Sequence, residues 1–265
     1  MQDSTIEIKT MSQLAAEGRT PEYLFWVGCA GSYDARAQKV SLTLCKILNA
    51  AGIDFAILGD EEMCNGDPAR RAGNEFLFQM MAAQNIATLN QYSVTKIVAT
   101  CPHCFNTLKN EYPVLGGHYE VIHHTQLLAQ LLKDKKIQIR SEAEKLSVTY
   151  HDSCYLGRVN GIYEVPRNVL DALSVELKEM PRHASNGLCC GAGGAQFFKE
   201  DEPGNKRINS ERISEALKTG TKAVVANCPF CLTMLTDGLK EADKQNDFMV
   251  YDISELVLQQ LDQSK

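Results

Sequence analysis

The chain has 265 residues, 44% of them hydrophobic, ten cysteines and a formal net charge of −6. That length can bury a core without help from disulfides. The negative balance excludes the basic stripe that nucleic-acid phosphates or an anionic membrane surface require.

No uncharged apolar run approaches the roughly 18 residues of a membrane span. The N-terminal extension, 1–20, carries Asp3, Glu7, Lys9, Glu17 and Arg19 where a signal peptide would be apolar, so the expected compartment is the cytoplasm. Tyr23–Val27 reads as the first strand, short and rich in aromatic and β-branched residues, and Cys29 follows it. A helix over Ala37–Ala50, ended by Gly52, leads to a strand at Phe55–Leu58 and then to Cys64. Next come a helix over Phe76–Asn90, a strand at Lys96–Thr100, the pair Cys101-Pro102-His103-Cys104 and a strand at Tyr119–His123. The charged stretch Lys133 to Lys145 reads as the boundary. A second series of strands follows at Ser147–Tyr150, Val175–Glu179, Ala223–Ala226 and Phe248–Tyr251. Strands alternating with helices predict parallel sheets joined by right-handed crossovers. The expected fold is α/β, with two pseudo-repeated Rossmann-like halves at 21–140 and 146–265.

The cysteines carry the repeat. Cys29 to Cys154 and Cys64 to Cys189 are both 125 residues apart, and the two C-P-x-C pairs, Cys101/Cys104 and Cys228/Cys231, are 127 apart. Eight of the ten cysteines pair in this pattern, and a ninth, Cys190, takes its place in the register opposite Asn65. Such self-similarity marks a duplication with unequal cysteine complements. The cysteines fall at the C-terminal ends of expected strands, where open α/β sheets place ligand sites. Pro102 and Pro229 suit the first turn of a helix, so each C-x-x-C meets a helix N-terminus, whose free N–H groups favour thiolates.

Four thiolates, Cys29, Cys64, Cys101 and Cys104, satisfy either a 4Fe-4S cluster or a zinc ion, and the spacing alone leaves both open. The second half offers five: Cys154, Cys189, Cys190, Cys228 and Cys231. A tetrahedral zinc site has no use for the fifth, which favours a multi-iron cluster there.

Cys154, Cys189-Cys190-Gly191 and Cys228-Pro229-Phe230-Cys231 together resemble the cysteine-rich CCG domain found in heterodisulfide reductases. The first half, with Trp26-Val27-Gly28-Cys29-Ala30-Gly31, Cys64-Asn65-Gly66-Asp67-Pro68-Ala69-Arg70-Arg71 and Cys101-Pro102-His103-Cys104, is similar to the C-terminal part of larger iron–sulfur oxidoreductases. Those relatives serve electron-transfer flavoprotein or a glycolate-type hydroxyacid oxidase. The resemblance implies two 4Fe-4S clusters. One is a five-cysteine cluster of noncubane type on Cys154, Cys189, Cys190, Cys228 and Cys231. The other is on Cys29, Cys64, Cys101 and Cys104; with Asn65 replacing a cysteine, it is an ordinary cubane or an empty site. It further implies an electron-transfer subunit, held on the inner face of a membrane by a redox partner that carries ferredoxin-type clusters. Catalytic disulfide reduction and a zinc-stabilised scaffold are the competing functions.

The remaining polar residues have plainer readings. Cys45 belongs to a helix's apolar face, as a small core residue. His103 reads as a tolerated side chain, since Phe230 fills the same slot; His123 and His124 read as structural hydrogen-bonders pointing to opposite faces. His151 and Asp152 would orient the Cys154 loop, with a direct role at the cluster as the alternative reading. Asp67 is expected to cap the helix at Pro68, while Arg70, Arg71, Arg158 and Arg167 either pair with acids such as Glu75 or offset cluster charge. Gly191-Ala192-Gly193-Gly194 lacks the order and the lysine of a phosphate loop.

Overall fold

The computed structural model describes residues 6–140, 144–200 and 203–262. Residues 1–5 of the expected extension, 141–143 of the expected boundary and 263–265 at the end of the second half lie outside the described residues. Among the described residues eight strands run in chain order: β1 (Tyr23–Trp26), β2 (Phe55–Ala56), β3 (Lys96–Ala99), β4 (Glu120–His123), β5 (Leu146–Tyr150), β6 (Val175–Leu177), β7 (Ala223–Ala226) and β8 (Met249–Asp252). They form two four-stranded sheets ordered β2-β1-β3-β4 and β6-β5-β7-β8. Every neighbouring pair is parallel. The repeat in the cysteines is therefore a repeat of topology. The register agrees: Phe25 pairs with Val98 in the first sheet and Tyr150 with Val225 in the second.

The central strands are short and almost wholly buried, β7 at all four positions, as parallel strands covered by helices must be. The helices are α1 (Met11–Ala16), α2 (Gly28–Tyr33), α3 (Ala35–Ala50), α4 (Asp67–Arg71), α5 (Glu75–Gln91), α6 (Pro102–Asn106), α7 (His124–Lys133), α8 (Glu164–Asp171), α9 (Ile208–Lys218), α10 (Pro229–Glu241) and α11 (Ile253–Gln260). Caps decide where they begin. Asp34 accepts the Ala37 N–H at 2.8 Å and starts α3 two residues before the expected helix. Asn74 does the same for α5 through the Leu77 N–H at 3.1 Å. Within the expected extension, Met11 and Leu14 of α1 enter the core beneath β2, and Thr10 bridges Ile57 at that sheet's edge.

The halves share one core. Phe25, Leu48, Val98 and Leu128 from the first half pack with Val148, Tyr150, Leu170, Val225 and Leu256 from the second. Helix α3 lies against α11, and α7 against α8 and α11. Cys45, on α3, is a buried member of this seam. Each such buried aliphatic side chain contributes about 1.5–3 kcal/mol. Polar contacts fix the docking angle: Arg36 forks onto Glu255, with one arm at 2.8 Å, and His124 Nε2 meets Asp252 Oδ1 at 3.3 Å. Among the described residues no helix is long and apolar enough to cross a membrane.

Candidate metal centres

All ten cysteines are free thiols. Nine of them gather at the C-terminal edges of the two sheets. Cys29 opens α2 just after β1, Cys64 follows the 3₁₀ turn Gly59–Glu61 after β2, and Cys101 and Cys104 straddle the start of α6 after β3. Cys101 is the N-cap residue and Pro102 the first helical residue; Cys228 and Pro229 repeat this at α10. Proline costs nothing there because the first-turn N–H groups have no intrahelical partner.

The first sulfur set shares one cleft. Cys29, Cys64, Cys101 and Cys104 line it with Asn65, Asp67, Pro68, His103 and Phe230. Cys29 and Cys64 lie close enough to shift each other's acidity, as do Cys101 and Cys104. In the second set, Cys154, Cys190, Cys228 and Cys231 line a cleft with His103, Tyr155 and Phe230. Cys189 completes it beside Cys154 and Cys190, whose thiols shift its acidity, and the Sγ atoms of Cys190 and Cys231 are 3.3 Å apart. The Gly191 N–H donates to Cys189 Sγ at 3.3 Å. Gly66 and Gly191 occupy the same place in the two halves, with φ of +88° and +97°. A Cβ on Gly66 would lie 2.8 Å from Phe78 Cδ2, so this left-handed turn is reserved for glycine.

Crowding makes the thiols unequal. Contact with Cys29 brings Cys64 down to about 7, while the same contact pushes Cys29 up. Cys154 and then Cys190 hold Cys189 far below the ordinary thiol range; contact with Cys189 raises Cys154, and Cys190 rises to about 12. Burial raises Cys101, but the thiols of Cys104 and Cys228 outweigh it and leave Cys101 well below the usual value. Thiols this close cannot all ionise by themselves. A cationic centre that prefers soft sulfur removes the conflict, which fits zinc or an iron–sulfur core.

The two sets touch. Cys101 and Cys228 lie close enough across the seam to shift each other's acidity, and His103 and Phe230 line both clefts. His103 is thus no merely tolerated side chain. It is buried, meets Asp67 Oδ2 at 2.9 Å through Nδ1 and stacks on Tyr155 with ring centroids 3.9 Å apart. Burial lowers the His103 pKa, but the Asp67 carboxylate and Cys101 outweigh it, so the pKa is raised. Asp67 likewise departs from its expected role. Gly66 holds the cap position of α4, and the Asp67 carboxylate instead joins His103 to Arg71 Nε at 3.0 Å. Arg70 and Arg71 both pair with Glu111, and Arg70 also with Glu75 at 3.2 Å. Asn65 uses its side chain locally, its Oδ1 accepting the Asp67 N–H at 2.8 Å.

His123 closes the seam. Its Nε2 lies 3.1 Å from the carbonyls of both Thr100 and Asn227, the residues that precede the two C-P-x-C pairs. Carbonyls only accept, so Nε2 carries the proton and Nδ1 accepts from Thr125. Burial, then His124, drives the His123 pKa well below its ordinary value and keeps the ring neutral. The expected structural role holds, but the opposite-face geometry does not. The strand ends at His123 and the helix begins at His124, which leaves the rings 4.4 Å apart.

Asp152 orients the Cys154 side of the second set by taking a two-armed bond from Arg167 at 2.9 and 3.0 Å and the Ala184 N–H at 2.7 Å. Arg158 donates to the Gly187 carbonyl at 2.7 Å. Glu62 escaped the sequence reading. It accepts the N–H groups of Val27 at 3.0 Å and Gly28 at 2.5 Å, tying the Cys64 loop to the Cys29 loop, and burial raises its carboxyl to about 7. Its place in an acidic run, Asp60-Glu61-Glu62, gave no sign of these bonds.

A family described as CCG, cysteine-rich domain, matches residues 23–109 and again 148–236. The chain is 47% identical over 254 residues to the probable iron-sulfur-binding oxidoreductase FadF of Bacillus subtilis, covering 96% of this chain and 36% of that protein. It is 44% identical over 250 residues to the EtfAB:quinone oxidoreductase of Syntrophomonas wolfei, covering 92% and 35%. Against one component of the dihydromethanophenazine:CoB--CoM heterodisulfide reductase of Methanosarcina barkeri the figures are 35% over 248 residues, 91% and 59%. The chain therefore spans little more than a third of the first two relatives. With both halves matched and the same sulfur-bearing edge in each, the chain belongs to the CCG cysteine-rich domain family and carries two copies of its domain.

Proposed function

We propose that this chain is the electron-relay part of an iron–sulfur oxidoreductase. One 4Fe-4S cluster is held by Cys29, Cys64, Cys101 and Cys104, and a second, of the five-thiolate noncubane type, by Cys154, Cys189, Cys190, Cys228 and Cys231. The carrying observation is that the two sulfur sets adjoin, with His103 and Phe230 lining both clefts and Cys101 and Cys228 shifting each other's acidity across the seam. Clusters bound there supply one-electron chemistry. The chain's own residues then set the path and its surroundings. Cys101 and Cys228 face each other across the seam, while His103 packs against Tyr155 and Phe230 between the sets. Five thiols exceed what tetrahedral zinc uses, which supports iron in the second half.

The name of one relative, EtfAB:quinone oxidoreductase, supports a route from electron-transfer flavoprotein toward a quinone-linked partner, with a hydroxyacid oxidase as the alternative donor. That partner carries ferredoxin-type clusters and holds the chain at the cytoplasmic face of a membrane. Anaerobic loading with iron and sulfide tests the reading. About eight irons per chain and two distinct paramagnetic signals are expected for two 4Fe-4S clusters. A colourless protein holding zinc and no iron would make it a scaffold. Fast turnover of a small disulfide by the reduced protein would make it a disulfide reductase instead. Cys190→Ser should change only the second signal; an unchanged spectrum removes Cys190 from the ligand set.

A further inference from the structure

His151 lies one residue past β5, fixed there by its own N–H donating to the Val225 carbonyl at 2.8 Å. The side chain is fully buried. Its Nδ1 is 3.0 Å from Nε of Arg212, a side chain equally buried on α9 and anchored at 2.9 Å to Glu215 and at 2.7 Å to the Arg182 carbonyl. An arginine Nε can only donate, so Nδ1 is the acceptor and the neutral ring carries its proton on Nε2. That Nε2 has no partner among the described residues. A ring nitrogen of His151 and the Sγ atoms of Cys190 and Cys231 all lie within 4.8 Å of one another. With Nδ1 committed to Arg212, Nε2 is the nitrogen left to face them.

We propose that His151 donates its Nε2–H to a sulfur of the second cluster, so that the Arg212–His151 pair is a built hydrogen-bond donor rather than an iron ligand. The proposal rests on the cluster assignment above. Ligation is ruled out by the ring's own tautomer: Nδ1 has given its lone pair to Arg212, and Nε2 holds a proton where a ligand needs a lone pair. An N–H left bare in a dry interior costs its full desolvation, and a sulfur acceptor relieves that cost.

The first half repeats the device in another residue. Trp26 stands one past Phe25 just as His151 stands one past Tyr150, and Phe25 and Tyr150 pair with the equivalent Val98 and Val225. The indole Nε1–H of Trp26 is also buried without a partner among the described residues, in the same core as Cys101 and Cys104. One orphan donor at the same sheet position in each half points to a shared acceptor chemistry.

A hydrogen bond to a cluster sulfur favours the reduced, more negative state and raises the midpoint. His151→Phe keeps a planar ring but removes the donor, whereas His151→Gln keeps both a donor and an acceptor for Arg212. In a potentiometric titration of the iron-loaded chain followed by paramagnetic resonance, the second signal should shift to lower potential in His151→Phe and return toward the parent in His151→Gln. The first signal should stay in place. Electron–nuclear double resonance on the parent chain labelled with ¹⁵N-histidine should show a histidine-borne proton coupled to the second cluster and lost in deuterium oxide. That measurement decides alone if His151→Phe fails to load. A fully loaded His151→Phe with an unmoved midpoint, or a parent chain with no such proton, overturns the donor role. A chain that takes up no iron at the second set overturns the cluster assignment along with it.

Discussion

The two halves share strand order, the left-handed glycine turn and the Cys-Pro helix start, yet they surround their sulfurs differently. Around the first set the chain places charge: Asp67 between His103 and Arg71, Glu111 between Arg70 and Arg71, and Glu62 on the Cys29 loop. Around the second it keeps an ion pair, Asp152 with Arg167, and adds a fifth thiol and a fully buried His151–Arg212 pair. At one matched position the first half has Asn65, spent on its own turn, and the second has Cys190, pressed against Cys231. A duplicated scaffold thus keeps its backbone and diverges in the shell that sets how a bound group behaves. Two adjacent centres of different character are what a directional relay needs, because ligand set and hydrogen bonding tune potential.

The sharpest way to break the comparison is to empty one half. Cys231→Ser should cost about half the iron, roughly four atoms per chain, and spare the first signal. Cys104→Ser should do the reverse; loss of all iron from either variant would mean that the halves do not load independently. Next in size is Asp67→Asn, which strips a buried carboxylate from His103 and Arg71. It should lower unfolding stability by about 3 kcal/mol, read from a denaturant midpoint, since hydrogen bonds to charged groups are the strong ones.

The matched pair His123 and Asp252 gives two smaller tests. The register places them opposite Ala99 and Ala226, and each caps the helix that follows, α7 and α11. His123→Phe leaves the Thr100 and Asn227 carbonyls without their shared donor and should cost about 2 kcal/mol. It should also weaken the magnetic interaction between the two loaded centres as the C-P-x-C loops separate. Asp252→Asn should cost about 1 kcal/mol, the ordinary worth of a cap. Burial pushes the Asp252 carboxyl up, but His124 and Ser254 outweigh it, so its folded value lies below the unfolded one of about 3.9. Its stabilisation is therefore present above about pH 4 and lost as pH falls through the folded value. The variant should flatten that acid limb of the stability profile, and an unaltered limb would place the titration elsewhere.

Much of the frame was legible because its signals are local. Short β-branched runs announced all eight strands, and Cys-Pro announced the starts of α6 and α10. Cap chemistry moved the ends: Asp34 and Asn74 lengthened two helices, and the 3₁₀ turn at Gly59 cut β2 short of Leu58. Buried polar partners were not legible. Nothing near His103 in the chain names Asp67 or Tyr155, and nothing near Glu62 names Val27 and Gly28 as its donors.

The sequence by itself determined the duplication, the alternation of strand and helix, and the nine cysteines carried to the sheet edges, because periodicity and turn chemistry act over a few residues. Only the tertiary structure decided that the two sulfur sets abut at Cys101 and Cys228, that His123 clamps both loops, and that Arg212 fixes the tautomer of His151. Most of those pairings join residues 61 to 127 positions apart. They exist because a shared apolar seam fixes how the halves dock, and a buried polar group must then bond whatever that docking sets beside it.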